Sequence, residues 1–213
     1  MVNTIAVILS VLSLTSIWFY RTQTVWVESP PYERQSIESS NTLVVVYSRT
    51  GNTLGAAKEV AKIYDADIIE IEAPAYARDL KGQSLAAKHA DDEVTTTPIQ
   101  HPPVDLKMYE RVILCSPTWW YRPAVPLWSF VENHDFTNNQ VLLLLTGNSR
   151  ITEERTGKFG SLVQAQGGNY EGAIFIERGR VYWQKSPNEV NTEAREAVLN
   201  STPLAEKGQT GKD

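Results

Sequence analysis

The chain has 213 residues, of which 42% are hydrophobic and 21% charged, a composition typical of one globular domain with short additional segments. Its formal net charge of -5 offers no basic surface for nucleic acid, so we exclude a nucleic-acid partner. The single cysteine, Cys115, excludes an intramolecular disulfide and a thiolate cluster, and the three histidines share no metal-ligand spacing, so we predict solvated surface histidines and no metal site.

The N-terminal segment is an apolar run over residues 5–20 that ends at Arg21, the first charged residue. As a helix this run would be about 24 Å long, which is barely enough to cross a bilayer. Trp18, Phe19 and Tyr20 before Arg21 form the pattern of an interfacial aromatic belt with a cationic stop. Neither a basic leader nor a small-residue cleavage site accompanies the run. We therefore expect residues 1–21 to be an uncleaved single-pass membrane anchor. A cleaved or lipid-modified leader is the alternative.

Two further segments lack the periodicity of a helix or strand. Residues 22–41 contain Pro30 and Pro31 with mixed charges and are predicted to be a linker. Residues 201–213 are polar and are predicted to be a flexible tail. The compact domain is thus expected over residues 42–200. The positive-inside rule, applied to Arg21, predicts that this domain faces the cytoplasm.

Within the domain, short apolar runs alternate with segments of helical length, the pattern of βαβ units with a parallel sheet. The predicted strands are residues 43–47, 67–71, 111–115, 141–145 and 172–176. The predicted helices are residues 54–64, 77–92, 124–133, 158–166 and 189–199. Charges at Glu70 and Glu72 place the second strand at a sheet edge. We predict a doubly wound α/β three-layer sandwich with a five-stranded parallel sheet. The handedness of the crossovers and the need to cover both sheet faces leave few strand orders, of which 2-1-3-4-5 is one.

In such a fold, ligands bind beyond the carboxyl ends of the strands, where the strand order reverses. The loop after the first strand carries hydroxyls and one glycine before a helix begins, a nest of neutral donors suited to a phosphate. Its residues are Ser48, Arg49, Thr50, Gly51, Asn52 and Thr53. The nucleotide-hydrolase P-loop is disfavoured because no Gly-Lys-Ser/Thr follows. A plain helix cap with a turn is the alternative interpretation.

The loop after the third strand contains three consecutive aromatic residues. Its residues are Pro117, Thr118, Trp119, Trp120 and Tyr121. Three neighbouring aromatic side chains cannot all point into the core, so at least one must contact something else, and a flat tricyclic ring is a good candidate. Packing against the insertion before this strand, or contact with a partner or membrane surface, are alternatives.

These two loops resemble the flavodoxin-like family, whose members read Tyr-Ser-x-Thr-Gly-Asn-Thr and Pro-x-Trp-Trp at the same strand ends. Here the motifs begin at Tyr47 and Pro117, and the likeness covers about residues 43–180. The resemblance implies flavin mononucleotide (FMN), with its phosphate on the first loop and its isoalloxazine ring edged by the second. It further implies a contribution from Thr146, Gly147 and Asn148 after the fourth strand.

Two departures from the family pattern stand in these loops. Relatives often have glycine where this chain has Tyr121, which tolerates a positive φ poorly and so affects how the peptide can turn toward flavin N5. Relatives also carry a glycine-rich turn after the fourth strand, where this chain has a charged run over residues 152–155. We expect that charged run to be a solvated loop.

The resemblance predicts a membrane-held FMN protein that transfers electrons, or reduces a substrate with its flavin, and whose redox partner is a protein or a quinone. No residue is nominated as catalytic, because the chemistry belongs to the flavin. The acidic net charge predicts a lowered flavin potential. A flavin-free scaffold domain and an NAD(P)H-dependent quinone or nitro reductase are the alternatives.

Overall fold

The computed structural model describes residues 2–180 and 182–201. An N-terminal helix, α1, precedes a domain in which strands and helices alternate. The strands are β1 (Thr42–Tyr47), β2 (Asp67–Ile71), β3 (Arg111–Trp119), β4 (Arg122–Pro123), β5 (Gln140–Gly147), β6 (Asn169–Glu177), β7 (Gly179–Arg180) and β8 (Trp183–Gln184). The helices are α1 (Val2–Thr24), α2 (Asn52–Tyr64), α3 (Leu80–Asp91), α4 (Val125–Glu132), α5 (Glu153–Ala165) and α6 (Pro187–Ser201).

Five parallel strands form the sheet in the order β2-β1-β3-β5-β6, and the two-residue strand β4 folds back against the end of β3. Because β4 lies off the main path, this order is the predicted 2-1-3-4-5, and the predicted fold class is confirmed. Strand β2 lies at the edge, as its charged residues indicated. Every residue of β1 is buried, because helices cover both faces of a central parallel strand.

Alternate side chains of the central strands pack into two separate cores. Val44 and Val46 of β1 pack with helices α2 and α6 on one face of the sheet. Leu43 and Val45 pack with α4 and α5 on the other face. This alternation is the two-residue period of a strand. Parallel pairing of β1 with β3 and of β3 with β5 places their carboxyl ends side by side.

Helix α1 is longer than the apolar run suggested and continues past Arg21 to Thr24. Residues 4–24 form a helix long and apolar enough to cross a membrane, and none of its most apolar stretch is buried against the domain. At about 1.5 Å per residue, the whole helix is roughly 34 Å long. A signal sequence would meet the same criteria of length and apolarity.

The segment after α1 has no regular secondary structure, yet it is fastened to the domain. Trp26 and Tyr32 pack against the core beside α2. The Tyr32 hydroxyl donates a hydrogen bond to the carbonyl oxygen of Ala66 at 2.7 Å, and Arg34 pairs with Asp67 at 3.0 Å. Residues 25–41 therefore form a strap along the domain surface, whereas residues 22–24 of the predicted linker end α1. The predicted tail lies outside the described residues beyond Ser201, which ends α6.

The charged run that was expected to be a solvated loop is instead the start of α5. Thr152 caps this helix, its side chain accepting a hydrogen bond from the amide of Arg155. Glu153 and Glu154 occupy the first turn, where negative charge is favoured by the helix dipole. The expectation was wrong because these acidic residues were judged by polarity alone, although a threonine followed by acidic residues is a helix-start signal.

Candidate functional site

A cavity of about 460 Å³ opens at the carboxyl edge of the sheet, within the size range of small-molecule sites. It brings together the three loops singled out from the sequence. The predicted residues that line it are Arg49, Thr50, Asn52, Thr53, Pro117, Thr118, Trp119, Trp120, Tyr121, Thr146, Gly147 and Asn148. The other two predicted residues, Ser48 and Gly51, belong to the same first loop but do not line the cavity.

The loop between β1 and α2 is stabilised by hydrogen bonds to its own hydroxyl groups. The amide of Gly51 donates to the Ser48 hydroxyl at 3.1 Å, and the Asn52 side chain donates to the Thr50 hydroxyl at 3.2 Å. Both hydroxyls accept in these bonds, so each keeps its own proton to donate. Helix α2 begins with Gly51 as its N-cap, which provides no side-chain acceptor. The amides of the first helical turn therefore remain available to an anion.

Gly51 is required by both its conformation and its surroundings. Its φ is +85°, in the left-handed region, and a Cβ added there would lie 2.0 Å from the carbonyl oxygen of Val27. The Val27 amide in turn donates to the carbonyl oxygen of Thr50 at 2.9 Å. The strap thus presses on the outer side of the first loop while Thr50 and Thr53 line the cavity within.

The aromatic loop after β3 divides its side chains between the core and the surface. The Trp119 ring meets Tyr47 edge-on at 5.7 Å and Tyr76 at 4.9 Å between centroids. The Trp120 side chain is 51% exposed. Trp120 and Tyr121 both have positive φ, 47° and 64°. Tyr121 therefore adopts the left-handed conformation although it is not glycine, and a side chain in that conformation costs roughly 1–2 kcal/mol.

The end of β5, which was predicted to be a loop, is joined to the other two loops. Thr146 and Thr53 share a hydrogen bond of 2.8 Å between buried hydroxyls, which connects the end of β5 to the start of α2. A Cβ added at Gly147 would lie 2.0 Å from the Thr118 hydroxyl oxygen, so only glycine permits this approach to the aromatic loop. The three loops consequently form one continuous wall.

Sequence reasoning missed several residues of the cavity. Phe19 and Gln23, from the last turns of α1, line it, as do Gln83 of α3 and Arg178 after β6. No sequence pattern places α1 or α3 at this edge. Arg178 could have been found, because it directly follows a predicted strand, and the rule that ligands bind beyond strand ends applies to that strand too.

The wall of the cavity is positive, whereas the whole chain is acidic. Among its described lining residues it has two arginines, Arg49 and Arg178, and no carboxylate. Burial lowers the pKa of both guanidinium groups, that of Arg178 to about 10. The expectation of a lowered flavin potential rested on net charge and is not supported by this wall, because local charges dominate at short range.

Three buried polar atoms of the cavity wall have no hydrogen-bond partner: Nε of Arg49, Nε of Arg178 and Oε1 of Gln83. Buried polar atoms in folded proteins are generally paired, so unpaired ones facing a cavity need a ligand or solvent. A flavin nucleotide meets this need, since its phosphate and carbonyl groups accept hydrogen bonds and its ring donates one. The cavity wall therefore fits FMN, the cofactor that the sequence suggested.

Other titratable groups do not form a second redox or metal centre. Cys115 is fully buried in β3, and this burial raises the pKa of its thiol. In the described residues, no cluster of histidine, cysteine and carboxylate side chains could hold a metal ion. The histidines are partly buried rather than solvated as expected. The His134 ring, for example, stacks on Phe130 at 4.0 Å between centroids, and sequence gave no sign of this contact.

Solved structures show the same fold. A flavoprotein from Lactobacillus acidophilus NCFM, described in complex with FMN, aligns with a TM-score of 0.56 and 20% identity, over 64% of this chain and 93% of its own. A putative flavoprotein from Bacteroides uniformis aligns with a TM-score of 0.57 and 21% identity, over 73% and 98%. One from Bacteroides eggerthii aligns with a TM-score of 0.57 and 17% identity, over 75% and 99%. No curated protein matches the chain significantly.

A family model described as Flavodoxin matches residues 41–160. This match covers more than half of the 213 residues and includes both motif loops and β5. Together with the strand order and the cavity at its expected edge, it assigns the fold and the ancestry of the domain. The chain belongs to the flavodoxin family.

Proposed function

We propose that this protein binds FMN in the cavity at the carboxyl edge of its sheet and serves as a redox protein at a membrane. The observation that carries the proposal is the meeting, around one cavity, of an anion-binding loop and an aromatic loop. The Lactobacillus acidophilus relative described in complex with FMN supports the choice of ligand. When bound, FMN supplies electron or hydride transfer, and the protein supplies binding, orientation and control of potential.

Each loop has a separate task in this proposal. The amides at the start of α2 and the hydroxyls of Thr50 and Thr53 hold the phosphate. The aromatic loop provides apolar area for the ring, with Trp119 fixed by its contacts and Trp120 free to cover the ring from solvent. In this proposal, Asn148 and the amides after β5 contact the polar edge of the ring.

The wall contributed by α1 supports a site of action at the membrane. Phe19 and Gln23 both line the cavity, so the bound flavin would lie beside the end of the apolar helix. Arg49 fastens that end by donating to the carbonyl oxygen of Gln23 at 2.9 Å. We propose that α1 anchors the domain with the cavity near the bilayer surface. The redox partner is then a membrane-associated protein or a quinone.

Spectroscopy of the full chain in detergent tests the binding proposal. We expect a yellow protein, or a colourless one that takes up added FMN and quenches its fluorescence. The variant Thr50→Val should weaken FMN binding about tenfold, because it removes one donor to the phosphate. Thr95→Val, which changes a threonine outside this cavity, is the matched control. Failure of the unaltered protein to bind FMN would reject the proposal.

Membrane fractionation tests the anchor. The full chain should stay with membranes after an alkaline wash, and a chain lacking residues 2–24 should not. Recovery of the full chain in the soluble fraction would contradict anchoring.

Reduction of the bound flavin distinguishes an enzyme from an electron carrier. Bleaching of the bound flavin by NADPH alone would indicate a reductase, and bleaching only with a partner reductase would indicate an electron carrier.

A further inference from the structure

Arg178 is a buried cation that lacks a counter-ion in the described part of the chain. Its side chain lines the cavity, and only 8% of the residue is exposed. Among the described residues, the one hydrogen bond of its side chain runs from Nη2 to the carbonyl oxygen of Thr22 and is long, at 3.5 Å. Its Nε is buried without a partner. A buried guanidinium ordinarily has a carboxylate or several acceptors around it, so Arg178 has donors to spare.

The other arginine of the cavity is already engaged through both of its terminal nitrogens, and only its Nε lacks a partner. Arg49 donates from Nη1 to the carbonyl oxygen of Gln23 and from Nη2 to the carbonyl oxygens of Ala77 and Asp79, at 2.9, 2.9 and 3.2 Å. These bonds tie the end of α1 to the segment before α3. Arg49 thus has a structural task, although it lies within the anion-binding motif.

Two sets of contacts bring Arg178 to the anion-binding loop. On its main-chain side, the Arg178 amide donates to the carbonyl oxygen of Gly147 at 2.6 Å, and the preceding Thr146 shares its hydroxyl with Thr53 of α2. On its side-chain side, the guanidinium reaches Thr22, and the next residue, Gln23, is held by Arg49 of the loop itself. Both routes end at residues 48–53.

The partner that Arg178 has in this structure is itself weakly negative. Thr22 belongs to the last turn of α1, and the free carbonyls of a helix C-terminus carry a partial negative charge. A dianion in the cavity would be a far stronger acceptor for the same guanidinium, because hydrogen bonds between two charged groups are the strong ones.

We propose that Arg178 is the cationic ligand of the 5′-phosphate of bound FMN, which complements the neutral donors of residues 48–53. This inference rests on the proposed function, since it requires FMN in the cavity. The positively charged partner of the phosphate would then be the residue that follows β6, and it lies outside the motif of residues 48–53.

Paired titrations of the full chain in detergent, with FMN and with riboflavin, test the inference. Riboflavin is the appropriate comparison because it lacks only the phosphate. In Arg178→Gln the dissociation constant for FMN should rise about 10- to 150-fold, as for loss of a charge-assisted hydrogen bond. Its riboflavin constant should stay within about twofold of that of the unaltered protein. Arg178→Lys should recover part of the FMN affinity.

Arg180→Gln is the matched control. Arg180 is two residues away, 46% of its side chain is exposed, and it pairs with Glu177 at 2.8 Å, outside the cavity. This variant should bind both ligands like the unaltered protein. The unaltered protein should also prefer FMN to riboflavin, and that preference should shrink as salt is added.

Equal loss of FMN and riboflavin affinity in Arg178→Gln would overturn the inference, because it would indicate a structural role. Unchanged FMN affinity would overturn it as well, while leaving the proposed function intact. If Arg178→Gln does not fold, the salt dependence and the Arg178→Lys variant decide. Absence of FMN binding by the unaltered protein would reject the proposed function and this inference together.

Discussion

The two principal loops of the cavity are built on different principles. The loop after β1 relies on main-chain donors, on short hydroxyl side chains and on Gly51, all within six consecutive residues. The loop after β3 relies on large rings whose positions depend on distant residues such as Tyr76. An anion needs donors at fixed positions, which a local motif can provide. A flat ring needs apolar area, which only packing can position.

Backbone strain also differs between the two loops. In the first loop, the left-handed residue is Gly51, for which this conformation is inexpensive. In the second loop, Trp120 and Tyr121 take left-handed conformations with bulky side chains. The surrounding contacts must hold that strained turn, and such strain is concentrated at functional sites. The first loop is thus specified locally, and the second is maintained by its neighbours.

Breaking the first loop should have the largest effect. Gly51→Ala places a methyl group 2.0 Å from the Val27 carbonyl oxygen at a φ of +85°, so we expect a loss of about 2–4 kcal/mol in unfolding free energy and a displaced strap. Denaturant unfolding measures the change. Gly157→Ala is the control, because a Cβ at that position in α5 meets nothing within 4 Å. It should be neutral or stabilise the protein by up to about 1 kcal/mol. Similar effects of both substitutions would contradict the role of the close contact.

Removing the Trp119 ring, which is packed against Tyr47 and Tyr76, should have the second-largest effect on stability. Trp119→Ala removes the edge contacts with Tyr47 and Tyr76 and should lower the unfolding free energy by about 2–3 kcal/mol. Trp120→Ala, at a side chain 51% exposed, should change it by less than about 0.5 kcal/mol while still weakening flavin binding. Thermal unfolding and FMN titration separate the two effects. The division of tasks within this loop would be refuted by a larger loss of stability in Trp120→Ala.

The hydroxyl pair between the first loop and β5 sharpens the comparison further. Thr53→Val or Thr146→Val alone leaves one buried hydroxyl without its partner across 2.8 Å, and each should cost about 1–2 kcal/mol of stability. The double variant should cost clearly less than the sum of the two, because no unpaired hydroxyl remains. A double-mutant cycle by denaturant unfolding measures this coupling. Strict additivity would show that the pair does not connect the loops.

Substitution of Arg178 should change the stability in the direction opposite to that expected for Gly51, Trp119 and the hydroxyl pair. Within the part of the chain that the structure describes, the buried guanidinium has no anionic neighbour to offset its desolvation, and burial lowers its pKa to about 10. Its charged form therefore destabilises the ligand-free fold at neutral pH, and this cost is relieved only as the pH rises through the folded-state pKa. Arg178→Met should raise ligand-free stability by about 1 kcal/mol at neutral pH. A lower melting temperature in this variant would contradict the prediction.

Much of this molecule could be read from its sequence. Apolar runs separated by amphipathic segments specify a parallel sheet, because strands covered on both faces must be apolar throughout. All five strands followed from this pattern, whereas the order 2-1-3-4-5 was one of a few that it left open. Residues 48–53 could also be predicted as a phosphate-binding loop, since a hydroxyl-rich turn with one glycine before a helix is a local feature of the sequence. Polarity alone misled at residues 152–155, which were expected to form a solvated loop because they are charged. In the structure they begin α5, with Thr152 as its cap.

The sequence by itself indicated the five strands and the two motif loops, because periodicity and local turns depend on near neighbours in the chain. Tertiary structure decided the rest. It brought the end of α1 and Arg178, more than 150 residues apart, to one cavity wall and made that wall positive in an acidic chain. Charge counted along a sequence is an average, whereas a binding site responds to the few charges that folding brings within several ångströms of it.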